Sequence, residues 1–297
     1  MQWMSLEQLI REHVRPGMSI VIGASHEALI PFAAVAEIIR QGITDLTVIA
    51  PISDIAVDLL VGVGAVRTVK SAWVGNVTGG LGHAYRRAIE EGIPHPVEIV
   101  DYSNYTLGLA LEAGARNVPF LPVRTLLGTD LLNSRAGFEL FRWHGETLVA
   151  VPALVPDLTI LAVQVTDQDG NVRIDGPRAM ARTAAFASRQ VIITTETVVS
   201  RQQGVASPDV ITIPGVMVSA GAVVPFGAHP SPVLGYYGRD TAFFQTYHQA
   251  TRTVAGFHRW VEEWVTIPGS HAGYLDKLGP SRLDALRDEA GVVQWND

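Results

Sequence analysis

The β-branched run Met18–Ile22 closes on Gly23, and a second such run, Leu46–Ala50, leaves room between them for one loop and one helix. Pro31 marks the first turn of that helix. Phe32, Val35, Ala36, Ile38 and Ile39 give it an apolar face, and Gly42 ends it. Short apolar runs of this kind read as strands of a buried parallel sheet. Parallel neighbours need a crossover, and the helix supplies it. The strand–loop–helix–strand order therefore predicts an α/β protein. It also sets the loop Gly23-Ala24-Ser25-His26-Glu27-Ala28-Leu29-Ile30 at the carboxyl edge of the sheet, where such proteins bind ligands.

The same alternation continues. Val69–Val74, Val97–Val100, Phe120–Val123, Thr159–Val163, Val191–Thr195 and Met217–Val224 read as further strands bounded by Gly, Pro or Asp. His83–Glu91, Leu107–Ala115, Ala179–Ser188 and a long Thr241–Trp264 segment read as helices, the last rich in aromatic residues. The expected architecture is an open, mostly parallel sheet with helices on both faces. Arg142–Gly145, before the strand-like Leu148–Pro152, is the softest point of the chain. No linker, repeat or low-complexity tract divides it, so residues 1–297 are expected to form one domain.

Composition narrows the function. At 47% hydrophobic over 297 residues the chain can bury a large core. Having no cysteine, it has neither a thiolate nucleophile nor cysteine-ligated metal. A formal charge of −7 without a basic block argues against nucleic acid. No apolar run approaches the roughly 18 residues that span a bilayer. MQWMSLEQLIREHV reads as an amphipathic helix rather than a signal peptide, which makes the cytoplasm the expected location.

Several groups have the chemistry for a site. Gly75-Asn76-Val77-Thr78-Gly79-Gly80-Leu81-Gly82 lies between a strand and a helix, as phosphate-cradling loops do, but has no Walker Lys-Ser/Thr; the other reading is a turn. Asp169-Gly170-Asn171 reads as a tight hairpin turn. The nine histidines show no HxH, HExxH or HxxxH spacing, so no metal is expected, and no GxSxG elbow is present. His229, between Pro225 and Pro230, reads as a structural hydrogen-bonding group. Among carboxylates, Glu27 sits in the best-placed loop beside Ser25 and His26, where it can act as nucleophile or base, or simply as a solvated acid near a helix start. Glu98 reads as structural. Glu196, ending VIITTE, reads as a group at the sheet edge, and Asp101, Tyr102, Ser103 and Asn104 follow a strand to the same edge.

The run Glu37-Ile38-Ile39-Arg40-Gln41-Gly42-Ile43-Thr44-Asp45-Leu46-Thr47 resembles the first βαβ unit of class I CoA-transferases, in the A subunit of the glutaconate type. The likeness continues through Asp101-Tyr102-Ser103, Val118–Val123, Asp169–Ile174, Phe226–Ser231, Glu263-Trp264-Val265 and Tyr274–Gly279, in order over nearly the whole chain. It implies an open α/β subunit of a heteromer, paired with a B subunit, as an (αβ)2 tetramer. CoA would be a cosubstrate, and no cofactor would be bound. In that family a glutamate attacks the acyl-CoA thioester, and a glutamyl-CoA thioester then passes CoA to an acceptor carboxylate. The resemblance puts that glutamate on the B subunit. This chain would then line the acyl-CoA site with Gly23, Ala24, Ser25, His26, Gly75, Asn76, Thr78, Gly79, Gly80, Ser103 and Asn104. Main-chain N–H groups of the Gly23 and Gly75–Gly82 loops are the natural oxyanion donors.

The chain departs from the pattern in its first loop. The Gly-Gly-Phe run and following basic residues of the family are replaced by Gly23-Ala24-Ser25-His26-Glu27-Ala28-Leu29-Ile30-Pro31. Without Arg or Lys there to bind a second carboxylate, a more apolar acyl group is expected. Relatives in steroid-ring degradation are CoA-thioester hydrolases with a catalytic Glu just after the strand matching Val97–Val100, where this chain has Tyr102-Ser103-Asn104. In a hydrolase of that kind Glu27 would be the fallback catalytic group. A non-catalytic acyl-CoA-binding protein is the third reading.

Overall fold

The computed structural model describes residues 1–52, 54–205 and 210–290. The chain opens with β1 (Gln2–Trp3) and α1 (Leu6–His13), whose start is fixed by Ser5: its hydroxyl accepts from the Gln8 amide. Then follow β2 (Ser19–Val21), α2 (Phe32–Arg40), β3 (Leu46–Ala50), α3 (Ile55–Gly62) and β4 (Val66–Ser71). A short hairpin of β5 (Gly75–Asn76) and β6 (Gly80–Leu81) leads to α4 (His83–Glu90), β7 (Glu98–Asp101) and α5 (Asn104–Ala115). After β8 (Phe120–Val123), β9 (Glu139–Trp143) and β10 (Glu146–Pro152) come β11 (Leu158–Asp167), β12 (Val172–Arg173), α6 (Ala181–Ala187), β13 (Gln190–Val199), α7 (Arg201–Val205) and β14 (Ala220–Val223). The chain finishes with α8 (Thr241–Ala250), α9 (Val254–Val261), α10 (His271–Leu278) and α11 (Pro280–Asp288).

Among the described residues the main sheet has nine strands in the order β1-β14-β13-β11-β2-β3-β4-β7, all parallel, with β12 hairpinned onto β11. This is the open α/β sheet expected from the alternating runs. Successive strand residues face opposite layers: Ile20, Val48 and Ile192 pack with α1–α4 and α8–α10, whereas Val21, Ile49 and Ile193 pack with α5 and α6. The carboxyl edge is stepped. The ends of β3, β4 and β7 lie level, with Ala50 opposite Ser71 and Ser71 opposite Asp101. The end of β2, Val21, lies opposite Ile49 and also opposite Thr159, yet β11 carries on to Asp167 alongside β13. That overhang is roughly 26 Å at about 3.3 Å per residue.

Four expectations need correction. Phe120–Val123 is a strand, but it edges a separate antiparallel sheet, β8-β10-β9, packed on α5. Pro122 has no N–H to offer a central strand, which confines this segment to an edge. Arg142–Gly145, next along the chain, holds the β9–β10 hairpin turn, with His144 and Gly145 both at positive φ. The long helix Thr241–Trp264 is two helices and a π-helical turn over Glu262–Thr266. Thr253 breaks it by capping α9 through the Gly256 amide. The segment Met1–Ser5 is not helical, because Gln2 and Trp3 pair with Ala220 and Gly221. Finally, strand Val69–Val74 ends at Ser71, and Met217–Val224 is strand only over Ala220–Val223.

Candidate active site at the carboxyl edge

The first loop leaves β2 through Gly23, whose φ of +64° suits a residue without Cβ. His26 (φ +62°) and Leu29 (φ +54°) hold the same left-handed region at a local strain of about 1–2 kcal/mol each. The loop is tied down at its far end. Leu29 N donates to Pro232 O, Ile30 N to Ser231 Oγ, and Ser231 Oγ to Glu27 O at 2.8 Å. Between Gly23 and Ala28 the His26 amide is bonded, to Gly23 O. The amides of Ala24, Ser25, Glu27 and Ala28 have no acceptor among the described residues, although Ala24 and Ser25 are only 1% and 3% exposed. Buried N–H groups are nearly always paired. The amides of Ala24 and Ser25 are exceptions to that rule among the described residues. His26 is half-buried and Glu27 is exposed.

The Gly75–Gly82 segment differs. Asn76 turns it: its Oδ1 accepts from Thr78 N (2.9 Å) and Gly79 N (3.0 Å), and its Nδ2 donates to Phe244 O at 2.7 Å. Val77 N donates to Asp54 Oδ1. Gly79 and Gly80 form the exposed tip, Gly80 at φ +107°. The start of α4 is also filled. Asp58, fully buried on α3, accepts from Tyr85 N at 2.7 Å and from the Tyr247 hydroxyl at 2.6 Å. A Cβ at Gly82 would collide with this carboxylate. An aspartate of the chain thus occupies the helix N-terminus that a phosphate-cradling loop would leave open. Burial pushes the Asp58 pKa up, against the pull of those hydrogen bonds.

Asp54 and Arg239 brace the hairpin, and sequence reasoning singled out neither. Asp54 stands at the start of α3, completely buried, with φ +48°. Burial raises its pKa, the Arg239 guanidinium 2.6 Å away opposes that rise, and the nearby Glu27 carboxylate adds to it. Arg239 also donates to Thr78 Oγ1 and lies over the Phe244 ring at 4.0 Å. One signal was available: Asp54 follows a strand and precedes an apolar run, the position of a helix start.

Across the edge, β4 is two strands from β2 and β7 three, or about 10 and 14 Å at the usual strand spacing. Gly23–Ala28, Gly75–Gly80 and Ser103 therefore rise from one edge as expected. Ser103 caps α5, its hydroxyl accepting from Thr106 N, and Asn104 beside it is exposed. Burial pushes the Tyr102 hydroxyl up to about 12. Glu98 is exposed and bonded to Thr68 and Arg135. Glu196 lies inside β13 and not in an open cleft. Its oxygens accept from the Tyr237 hydroxyl and from Phe226 N, both at 2.8 Å, and burial lifts its pKa to about 7. His229 is structural as expected, buried between the Tyr274 hydroxyl and Asp240. Asp169-Gly170-Asn171 is the β11–β12 turn, gathered by Asp167 Oδ1. Among the described residues no helix is long and apolar enough to cross a membrane, and no cluster of three or more His, Asp or Glu could hold a metal.

An open parallel sheet with its donor-bearing loops gathered at one carboxyl edge defines the class, a doubly wound α/β protein with an edge-loop site. The model of the coenzyme A transferase family matches residues 3–220, and the chain belongs to that family. It is 35% identical to the A subunit of 3-oxoadipate CoA-transferase from Pseudomonas knackmussii, over 88% of this chain and 93% of that protein. It is 32% identical to the A subunit of glutaconate CoA-transferase from Acidaminococcus fermentans, over 97% and 95%. The crystal structure of glutaconate coenzyme A-transferase from the same organism superimposes with a TM-score of 0.93, covering 100% of this chain and 99% of that chain at 31% identity. Similarity to the cholesterol ring-cleaving hydrolase IpdA subunit of Mycobacterium tuberculosis is lower, 28% over 91% of this chain and 95% of that protein.

Proposed function

We propose that this chain is the A subunit of a heteromeric CoA-transferase that moves CoA between an acyl-CoA thioester and a carboxylic acid. A B subunit supplies the nucleophilic glutamate, in an (αβ)2 assembly. That glutamate attacks the thioester carbonyl, the C–S bond breaks, and an acyl-glutamyl anhydride forms with release of CoA thiolate. The thiolate attacks the glutamyl carbonyl and expels the first acid, leaving a glutamyl-CoA thioester. The second carboxylate attacks that thioester, and its C–S bond breaks to give a second anhydride and free thiolate. The thiolate attacks the second acyl carbonyl, forming the new acyl-CoA and releasing the glutamate. Each attack builds an oxyanion. The observation that carries the reading is the run of unpaired amides at Ala24, Ser25, Glu27 and Ala28, two of them buried, at the centre of the edge. Preorganised donors there stabilise developing charge without reorganisation. Ser103, Asn104 and the Gly75–Gly80 hairpin form the neighbouring wall. CoA enters as cosubstrate, and no resident cofactor is required.

One observation favours a second reading. Glu27 is exposed within the donor loop itself. In a hydrolase it would take the catalytic role, and water would release acid and free CoA. The experiment is adduct trapping: co-expression with the product of the adjacent reading frame, addition of acyl-CoA, borohydride reduction and mass spectrometry. A reduced glutamate on the partner, retained when Glu27→Gln is made here, is the expected result. A reduced Glu27 would overturn the assignment and make this chain the catalytic half.

A further inference from the structure

Behind the edge, on the α1–α4 face, a cavity of about 40 Å3 lies between α2, α3 and the C-terminal helices. Its walls are mostly apolar, with Ala36, Leu59, Phe243, Trp260 and Trp264 among them. Arg40 on α2 also lines it, its side chain only 9% exposed. Arg40 Nε donates to Glu37 Oε2 at 2.8 Å and Nη1 reaches Val265 O at 3.4 Å. Its Nη2 is buried with no acceptor among the described residues.

The other polar groups on the wall are answered. Glu37, the counter-charge on the same helix, has its second oxygen bonded to Gln41 Nε2. Both ring nitrogens of His229 are engaged, by the Tyr274 hydroxyl and by Asp240, and Asp240 is itself held by Arg282. His271 Nε2 bonds Pro225 O, and burial holds its pKa below the ordinary value, with Arg40 and His229 nearby acting the same way. The unanswered group is therefore a cationic N–H donor on a residue that lines this aromatic-walled cavity. Leaving such a donor unpaired in the interior is unfavourable. The volume has room for about three waters at 10–15 Å3 each, but a buried water needs two to four polar partners. Arg40 Nη2 is the one buried side-chain N or O atom on these walls without a partner among the described residues.

We propose that this cavity binds a short-chain carboxylate, its oxygens on Arg40 Nη2 and its apolar tail among Phe243, Trp260 and Trp264. Two sources present that chemistry: a free acid, or the far end of an acyl group that carries a second carboxylate. The binding site does not depend on the reaction; only the second source rests on the transferase reading. Phe32 and Ala33, the first turn of α2, also line the cavity, so its occupant touches the helix on which the donor loop ends.

The test is titration of the full-length chain with butyrate and with butyramide, without CoA, read by tryptophan fluorescence. Saturable butyrate binding is expected, at least tenfold weaker for the amide. Binding should also fall at least tenfold in Arg40→Gln and in Ala36→Leu, the latter filling the cavity while keeping the Arg40–Glu37 pair. No saturable change, an equal response to the amide, or undiminished binding in Ala36→Leu overturns the proposal. Turnover by the heteromer then separates the sources. If Ala36→Leu depresses glutaryl-CoA at least tenfold more than butyryl-CoA, the site holds the acyl end. An unchanged ratio alongside lost butyrate binding assigns it to the free acid.

Discussion

Two glycine-bearing loops rise from the same sheet edge about 10 Å apart, and they differ in what their amides do. In Gly75–Gly82, the side chain of Asn76 and the buried Asp54 and Asp58 take up the amides of Val77, Thr78, Gly79 and Tyr85. In Gly23–Ile30 the amides of Ala24, Ser25, Glu27 and Ala28 have no acceptor among the described residues. Glycine content alone suggests a similar role for both. Hydrogen-bond accounting does not, since a donor already bonded inside the chain cannot stabilise charge on a ligand.

The largest expected effect tests the donor side of this contrast. Replacing the Ser25 peptide N–H by an ester oxygen, through the α-hydroxy analogue, should cut kcat/KM of the assembled enzyme about 100- to 1,000-fold. The melting temperature should move little. A fall below tenfold would put the oxyanion donors elsewhere. Next is the support behind the loop. Glu196 fixes Phe226, and Gly227 O in turn accepts from Ala33 at the start of α2. Its folded-state pKa, about 7, lies above the usual carboxylate value, so the folded state binds the extra proton and stability is lost as pH rises from about 4.5 to 7. Glu196→Gln should remove that loss. Urea midpoints measured from pH 5 to 8 should show the variant gaining up to about 3 kcal/mol on the wild type; parallel profiles would refute the buried-acid account.

On the hairpin side the effects should fall on stability. Asp58→Ala leaves Tyr85 N and the Tyr247 hydroxyl unpaired and should cost about 2 kcal/mol by denaturant unfolding. The KM for acyl-CoA should stay within a few-fold. A KM rise above tenfold would return this helix start to the binding site. The smallest expected effect is Gly80→Ala, about 1 kcal/mol from its positive φ, with turnover within threefold. A hundredfold loss of turnover would erase the distinction between the loops.

The parallel core was legible because its strands are unbroken β-branched runs and its helices have one apolar face. Helix α3 was not, because all eight of its residues, Ile55 to Gly62, are buried and no polar face marks a period. Strand β9, Glu-Leu-Phe-Arg-Trp, is mostly exposed and carries little pattern to read. The placement of Gly23–Ala28 at the carboxyl edge follows from strand order, so that much of the candidate site was legible. The Asp54–Arg239 pair joins residues far apart in the chain, and the sequence holds no local trace of that contact. Which glycine loop keeps its donors was likewise beyond the pattern, since Asn76 and Asp58 look like ordinary turn and helix residues.

The uneven strand lengths have a consequence of their own. Beyond Thr159, β11 and β13 run on together as a ribbon that stands over the donor loop, while β3, β4 and β7 stop level with it. The loop thus has a long strand ribbon on one flank and level strand ends, followed by the Gly75–Gly80 hairpin, on the other. How high the chain rises on each side of this loop is therefore set by where the strands end.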